Sequence, residues 1–437
     1  MEKTKKDELT TKDDDSKVGS KCIWLRIALF VIAIIIAAVS FGFGISQCTN
    51  QYKITTGLYD FNFSDDLNDE SYYELNKRLN LVYYLDDSNN TSANKKYQTI
   101  KDFVLTKAKY FFDLYYSFED HDLKGMNYIN AHPNEDIQID ELLYNSLKDA
   151  YSKSNSNYSI FGGLLFTYYQ SCFTYFKKNN DALNNSLIAN DLNTIKEIYQ
   201  DIDNNFSLTF KDNNTINFSY SSKVSSFLTS IEDQSQEVRI LDFNVLFNSY
   251  FLDYMKSQMK ENNYLKGYFY TPNGEMTFIG NLFTGDNEIN IYDIQDKDKI
   301  TPIGIIKNRG ECNVSSFRTF SLNDTDTSYF NSFSYNDKTY TRNLLLSLDT
   351  CECNETIDTS FMISSNLSLV DLTYNHFNAI WALSENNSDA YKNEDIIAGY
   401  VKKGDDDQIY LNSNAKECYY DYTISDEEII SYKKIVL

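Results

Sequence analysis

Two groups of side chains in this sequence have the types and spacing to do chemistry. The first begins at Leu241-Asp242-Phe243 and continues through Asn248-Ser249-Tyr250 to Asp253. An aspartate at the end of an extended segment, with a helix starting just beyond it, sets a carboxylate where a nucleotide or a sugar hydroxyl binds. The plainer reading is that Asp242 caps that helix and Asp253 lies on its solvated face. The second group is Asp371 with Asn375. Four residues apart on a helix, they share one face. A carboxylate and an amide oxygen so placed suit a hard cation such as Mg²⁺, which takes few protein oxygens and keeps water or phosphate for the rest. Here too the plainer reading is a helix cap, at Asp371.

Other chemistries have little to stand on. His121, His132 and His376 are the only histidines, and none falls in H-E-x-x-H or a comparable ligand pattern. There is no G-x-S-x-G elbow, no phosphate-binding G-x-x-x-x-G-K-[ST] loop and no G-x-G-x-x-G. Cys351-Glu352-Cys353 is a C-x-C pair with no histidine near it, a poor zinc site. In an oxidising compartment Cys312 or Cys418 would pair with one of those two. The formal net charge of -23 leaves no basic stripe to neutralise phosphates, which excludes nucleic acid as a main partner.

The elements that must position these residues are legible in outline. Ile100, Val104, Ala108, Phe111 and Phe112 recur at helical period, and Leu142, Leu143, Leu147 and Ala150 do so after the acids Asp136 and Asp140. Residues 160–169 read as a buried helix, 192–202 as a helix and 205–221 as alternating strand. Residues 240–243 read as a short strand leading into a helix that runs to about Met259. Strand alternation then covers parts of 265–294, 302–307, 327–348 and 359–370. A helix follows over 372–383, with strands at 396–402 and 408–412. Helices first, then sheet with interspersed helices, gives an α+β or α/β domain rather than a bundle or solenoid.

Ahead of that domain, residues 23–45 are almost unbroken apolar sequence. As a helix they span about 34 Å, enough for a hydrocarbon core of ~30 Å. Arg26 sits one turn inside and reaches the head groups. Lys3, Lys5, Lys6, Lys12, Lys17 and Lys21 precede the run, and only Lys53 follows before Lys77. That asymmetry places the N-terminus inside and the domain outside. The expected organisation is a cytoplasmic tail at 1–22, a transmembrane helix at 23–45, a tether at 46–70 and an extracytoplasmic domain at 71–437.

Read in order, segments over most of residues 55–390 resemble the ApbE family, the FAD:protein FMN transferases. Phe112-Asp113-Leu114-Tyr115-Tyr116 and Met126-Asn127-Tyr128-Ile129-Asn130 are similar to that family's F-D-x-Y and L-x-x-I-N segments. Tyr158 through Leu165 resembles its N-I-A-x-G-x-V-L run. Leu241 to Asp253 lies on L-D-L-G-G-I-A-K-G-Y-A-x-D without a gap. Asn273-Gly274-Glu275-Met276 with Gly280 has the spacing of G-G-[DN]-[IV]-x-x-x-G, and Ser360 to Asn375 follows its S-V-T-V strand and A-D-A-L-S-T metal motif.

The resemblance implies an α+β fold of the ApbE-like, T-fold type, a mixed sheet with packed helices. It implies FAD and Mg²⁺ bound between two halves of the domain, and FMN passed to a Thr or Ser hydroxyl of an extracytoplasmic partner flavoprotein. Carried over residue by residue, Asp242, Asn248, Tyr250, Asn273, Gly274 and Glu275 would contact the flavin. Asp371 and Asn375 would hold the metal. The sequence departs from the family in several places. The family lysine of K-G-Y falls on Asn248 and its glycine on Ser249. The first glycine of G-G falls on Asn273, and the metal-site threonine falls on Asn375. The histidine of H-I-[IL]-D-P is missing near Leu348-Asp349. Three readings follow: a transferase with an altered site, a non-catalytic relative that binds flavin or a partner, and a surface protein that keeps only the fold.

Overall fold

A computed structural model describes residues 54, 56–86, 90–118, 123–169, 185–232, 238–280, 287–295, 299–308, 310–319, 332–335, 338–341, 343–404, 407–425 and 428–437. The chain divides into two units, residues 1–56 with 86–98, and residues 57–85 with 99–437. Within the first, Lys96 and Asp86 form an ion pair at 2.8 Å.

The second unit is an α+β domain built on mixed sheet. Its strands are β1 (Gly57–Phe61), β2 (Asn80–Leu85), β3 (Asp136–Gln138), β4 (Phe206–Lys211), β5 (Thr215–Tyr220), β6 (Gly267–Tyr270), β7 (Met276–Ile279), β8 (Asn287–Gln295) and β9 (Lys299–Asn308). They continue with β10 (Asn313–Arg318), β11 (Ser332–Tyr335), β12 (Lys338–Thr341), β13 (Ile357–Ser364), β14 (Ile397–Lys402), β15 (Gln408–Leu411), β16 (Tyr419–Ser425), β17 (Glu428–Ile430) and β18 (Lys433–Val436). Nine strands form the main sheet in the order β1-β2-β6-β7-β10-β13-β14-β15-β18. Its neighbours are antiparallel except β15 and β18, which run parallel.

The helices that matter most are α1 (Tyr73–Arg78), α2 (Glu141–Ser152), α3 (Phe247–Glu261) and α4 (Leu369–Ser384). α3 and α4 pack on one face of the central strands, and β8 packs against β13 from the other. β13 is therefore covered on both sides, and seven of its eight residues are buried. A strand in that position must be apolar or internally paired along its whole length. Strand alternation sends neighbours to opposite faces. On β10, Ser315 and Phe317 meet His376 of α4, while Val314, Ser316 and Arg318 turn away from it.

α4 starts where the chemistry of its N-terminus is met. Ser368 caps it by accepting from the Asp371 N–H at 3.0 Å and donates in turn to the Asp371 carboxylate at 2.8 Å. The Asp253 carboxylate accepts from the N–H groups of Leu369 and Val370, both at 3.0 Å. A carboxylate there satisfies orphan donors and meets the positive end of the helix dipole.

Several expectations are revised. Residues 240–243 are not a strand. The Asn130 side chain takes up the N–H groups of Ile240 and Leu241 and the carbonyl of Leu241, and Asp242 N–H donates to Ile160, so no ladder remains to be formed. Leu369 and Val370 open a helix instead of ending a strand, because Ser368 caps there. The sheet begins at Gly57, inside the stretch read as tether. Cys312, Cys351 and Cys418 carry free thiols, so neither Cys312 nor Cys418 makes the pairing considered for it. Cys22, Cys48, Cys172, His121 and the apolar run 23–45 lie outside the described residues. Among the described residues no helix is long and apolar enough to cross a membrane.

His376 is fully buried between two hydroxyls, with Nδ1 2.9 Å from Ser315 Oγ and Nε2 2.6 Å from Ser360 Oγ. Burial pulls its pKa down to about 3, so the ring is neutral in the fold. From about 6.5 down toward 3, the unfolded chain binds a proton that the folded chain refuses, and this contribution to stability is lost as pH falls. In His376→Gln that loss disappears. The gap in melting temperature between wild type and variant is expected to narrow steadily as pH is lowered from neutral toward 4. A gap independent of pH would show that the ring is not held neutral.

Candidate functional site

Asp242, Asn248, Asn273 and Glu275 converge on one cleft, joined by Glu74 and Arg78 of α1. The segment 241–248 forms one wall. The turn between β6 and β7 forms another, because the Gly274 N–H donates to the Thr271 carbonyl at 3.0 Å and Gly274 sits at φ +99. Phe247 and Phe317 supply aromatic surface.

The Asp242 carboxylate closes a turn onto Asn244 N–H at 2.6 Å and accepts from Ser117 Oγ at 2.8 Å. Burial raises its pKa, and these hydrogen bonds and the charge of Arg78 hold the rise back. Asn248, 6% exposed, bridges the two walls. Its oxygen accepts from Arg78 Nη1 at 2.8 Å, and its Nδ2 donates to Glu275 Oε1 at 3.4 Å. Glu275 is 2% exposed and also accepts from the Thr271 hydroxyl. Its pKa is raised by burial, against the hydrogen bonds of Thr271 and Asn248 and the charge of Arg318. Asn244, at φ +50, donates to the carbonyls of Asp242 and Ser159. Its own side-chain oxygen is buried and has no hydrogen-bond partner among the described residues.

The other proposed site residues lie elsewhere. Tyr250 is two residues from Asn248, which on a helix is about 200° around the axis. Its hydroxyl donates to Asp149 Oδ2 at 2.5 Å, away from the cleft. Gly274 points to the opposite face from Asn273 and Glu275 and lines a different cavity. Asp371 and Asn375 also part company. Asp371 lines a cavity with Tyr250 and Asp253, whereas exposed Asn375 lines another with Leu372 and Asn378. Asp371 is paired with Lys153 Nζ at 3.1 Å, and the same ammonium contacts Asp149 at 2.5 Å. Burial works against the charge on Lys153, but the two carboxylates outweigh it and raise its pKa.

These arrangements test the groups the resemblance implies. Among the described residues no three His, Cys, Asp or Glu side chains are placed to hold a metal ion. The aspartate assigned to Mg²⁺ has an ammonium as its cation, so the residues present do not fit the metal. The cleft encloses about 110 Å³, against roughly 300–1,000 Å³ for sites that take drug-sized ligands. Among the described residues Glu74, Asp242 and Glu275 face a single cation there, Arg78, the wrong balance for a pyrophosphate. In this form the cleft does not fit FAD. The residues that sequence reasoning missed are Glu74, Arg78, Asn244 and Lys153. Lys153 carried a usable signal, four residues after Asp149 on a predicted helix. Arg78 carried none, because α1 is six residues long and has no marked period.

No family model matches the sequence, and no curated protein matches it. Among solved structures, the ApbE protein from Thermotoga maritima aligns with 83% of this chain and 99% of its own, at 16% identity and a TM-score of 0.52. The flavin transferase ApbE from Vibrio cholerae aligns with 78% of this chain and 95% of its own, at 13% identity and a TM-score of 0.49. The Pseudomonas stutzeri flavinyl transferase ApbE, in its apo form, covers 74% and 86%, at 12% identity and a TM-score of 0.46. The first of these establishes an ApbE-like fold.

Lys153→Met would leave Asp149 and Asp371 without their shared cation. Both partners are about half exposed, so water screens the loss to about 1 kcal/mol. Urea denaturation should show that destabilisation at low salt and a smaller one at high salt.

Proposed function

We propose that this chain is a membrane-anchored, extracytoplasmic protein of ApbE-like fold that binds a ligand or partner and does not transfer flavin. The observation that carries this reading is the ion pair of Lys153 with Asp371. In the family motif that aspartate serves a metal, and here it is paired with an ammonium that it shares with Asp149. The neighbouring Asp253 is likewise engaged, at the start of α4. With no cation to neutralise developing charge on a pyrophosphate, the transfer step loses its main source of rate.

The cleft favours a different guest. Its three carboxyl groups, set against one arginine among the described residues, suit a small neutral or cationic group that offers N–H or O–H donors. The anchoring part of the reading rests on the apolar run 23–45 and the lysines that precede it. An active transferase is the second reading. It is favoured by the meeting of Asp242, Asn248, Asn273 and Glu275 at one cleft.

One experiment separates the two. The purified full chain is incubated with FAD, Mg²⁺ and a peptide bearing a Thr acceptor in the transferase target sequence. The expected result is no covalent flavin fluorescence on the peptide and no rise in melting temperature with FAD, with or without Mg²⁺. Flavin retained on the peptide after denaturing electrophoresis establishes the transferase instead, and a Mg²⁺-dependent thermal shift with FAD removes the argument from Lys153.

A further inference from the structure

A second cavity lies on the opposite face of the central sheet, between it and β8. It encloses about 350 Å³, within the range that small-molecule sites use. Tyr268 and Tyr270 of β6, Tyr292 of β8, Phe361 of β13 and Met276 of β7 wall it. Strand alternation separates it from the cleft. Asn273, Glu275 and Phe317 face the cleft, while Gly274, Ser316 and Arg318 face this cavity.

Among the described residues Arg318 is the only cationic one lining it, and it is 7% exposed. Among the described residues its guanidinium makes one hydrogen bond, from Nη2 to the Pro272 carbonyl at 2.8 Å. A guanidinium carries five N–H donors, so most of its capacity is unspent. The Tyr292 ring centre lies 5.9 Å from the guanidinium carbon. Burial pulls the Arg318 pKa down to about 10, with Glu275 and Tyr292 acting against the fall, so the group is charged at neutral pH. Glu275 does not close the fork, since it lines the other cleft and is held by Thr271 and Asn248. Gly274 keeps the approach clear: a Cβ there would stand 2.9 Å from Arg318 Nη2 and 3.0 Å from Ser316 Oγ.

We propose that this cavity is a binding site for a small planar aromatic carboxylate, with Arg318 receiving the carboxylate and the tyrosines enclosing the ring. A buried cation with free donors calls for an anion that desolvates cheaply and matches a planar fork, as a carboxylate does. One arginine balances one negative charge. Glu288 also lines the cavity, which disfavours a phosphate dianion. Three tyrosines and a phenylalanine around so small a space call for a ring that packs on them by face or edge.

The test uses the purified full chain and calorimetric titration with benzoate, benzamide and acetate. Benzoate should bind saturably. Benzamide, which keeps the ring and loses the charge, and acetate, which keeps the charge and loses the ring, should each bind at least about tenfold more weakly. Arg318→Lys should weaken benzoate by a similar factor. Tyr292→Ala should weaken benzoate while leaving acetate unchanged. Benzamide equal to benzoate, acetate equal to benzoate, or no benzoate binding to the wild-type chain would each overturn the proposal without recourse to either variant.

Discussion

The central strands of this domain are covered on both faces, and that single constraint governs where its polar groups can be. With helices on one side and β8 on the other, most side chains of β10 and β13 are buried away from water. Each polar residue there must find a partner in the protein. Ser315 and Ser360 meet His376, and Ser360 also meets the Tyr391 hydroxyl at 2.7 Å. Asn313 accepts from Thr277 and Lys256 and donates to the Leu367 carbonyl. These pairings tie β10 and β13 to α4 through a specific geometry, where an all-apolar layer would tolerate sliding. Against that background Arg318 stands out, because among the described residues its buried guanidinium makes a single hydrogen bond.

The same accounting extends to the carboxylates of the domain. Here the start of α4 is stabilised entirely from within the chain, by Ser368, by Asp253 and by the Lys153 ammonium near Asp371. Its carboxylates are then set by helix capping and ion pairing, which do not require the geometry of a coordination shell.

Much of this was legible in the sequence, and the failures share a cause. The helices with strong period were placed well, because burial follows a 3.6-residue repeat. Ile100, Val104, Ala108, Phe111 and Phe112 are all buried. The strands β6, β7 and β8 followed from alternation. The extended segment 240–243 was misread because its backbone partner is a side chain 110 residues away, Asn130, and local pattern carries no trace of that. The motif alignment brought Asp242, Asn248, Asn273 and Glu275 to one cleft but could not say which way each side chain pointed. Tyr250 and Gly274 fell out on elementary geometry, half a helical turn in one case and strand parity in the other. Asp371 and Asn375 passed the spacing test for a shared face. What spacing could not show is that Lys153, far away in sequence, pairs with Asp371 and that the two residues line different cavities.

Strand parity also bears on how the two cavities are related. Residues 273–275 and 316–318 alternate between the cleft and the tyrosine-walled cavity, so substitutions on one side need not disturb the other. One link crosses the sheet. Arg318 lowers the cost of keeping Glu275 charged in the cleft, and Glu275 helps hold Arg318 in its protonated form. An anion drawn to Arg318 would compete for that positive charge and push Glu275 toward its neutral form. Such coupling is reciprocal by necessity. A donor-bearing guest in the cleft that favours ionised Glu275 would weaken an anion on the other face. A buried charge pair that spans the sheet would thus couple what binds on one side to what binds on the other.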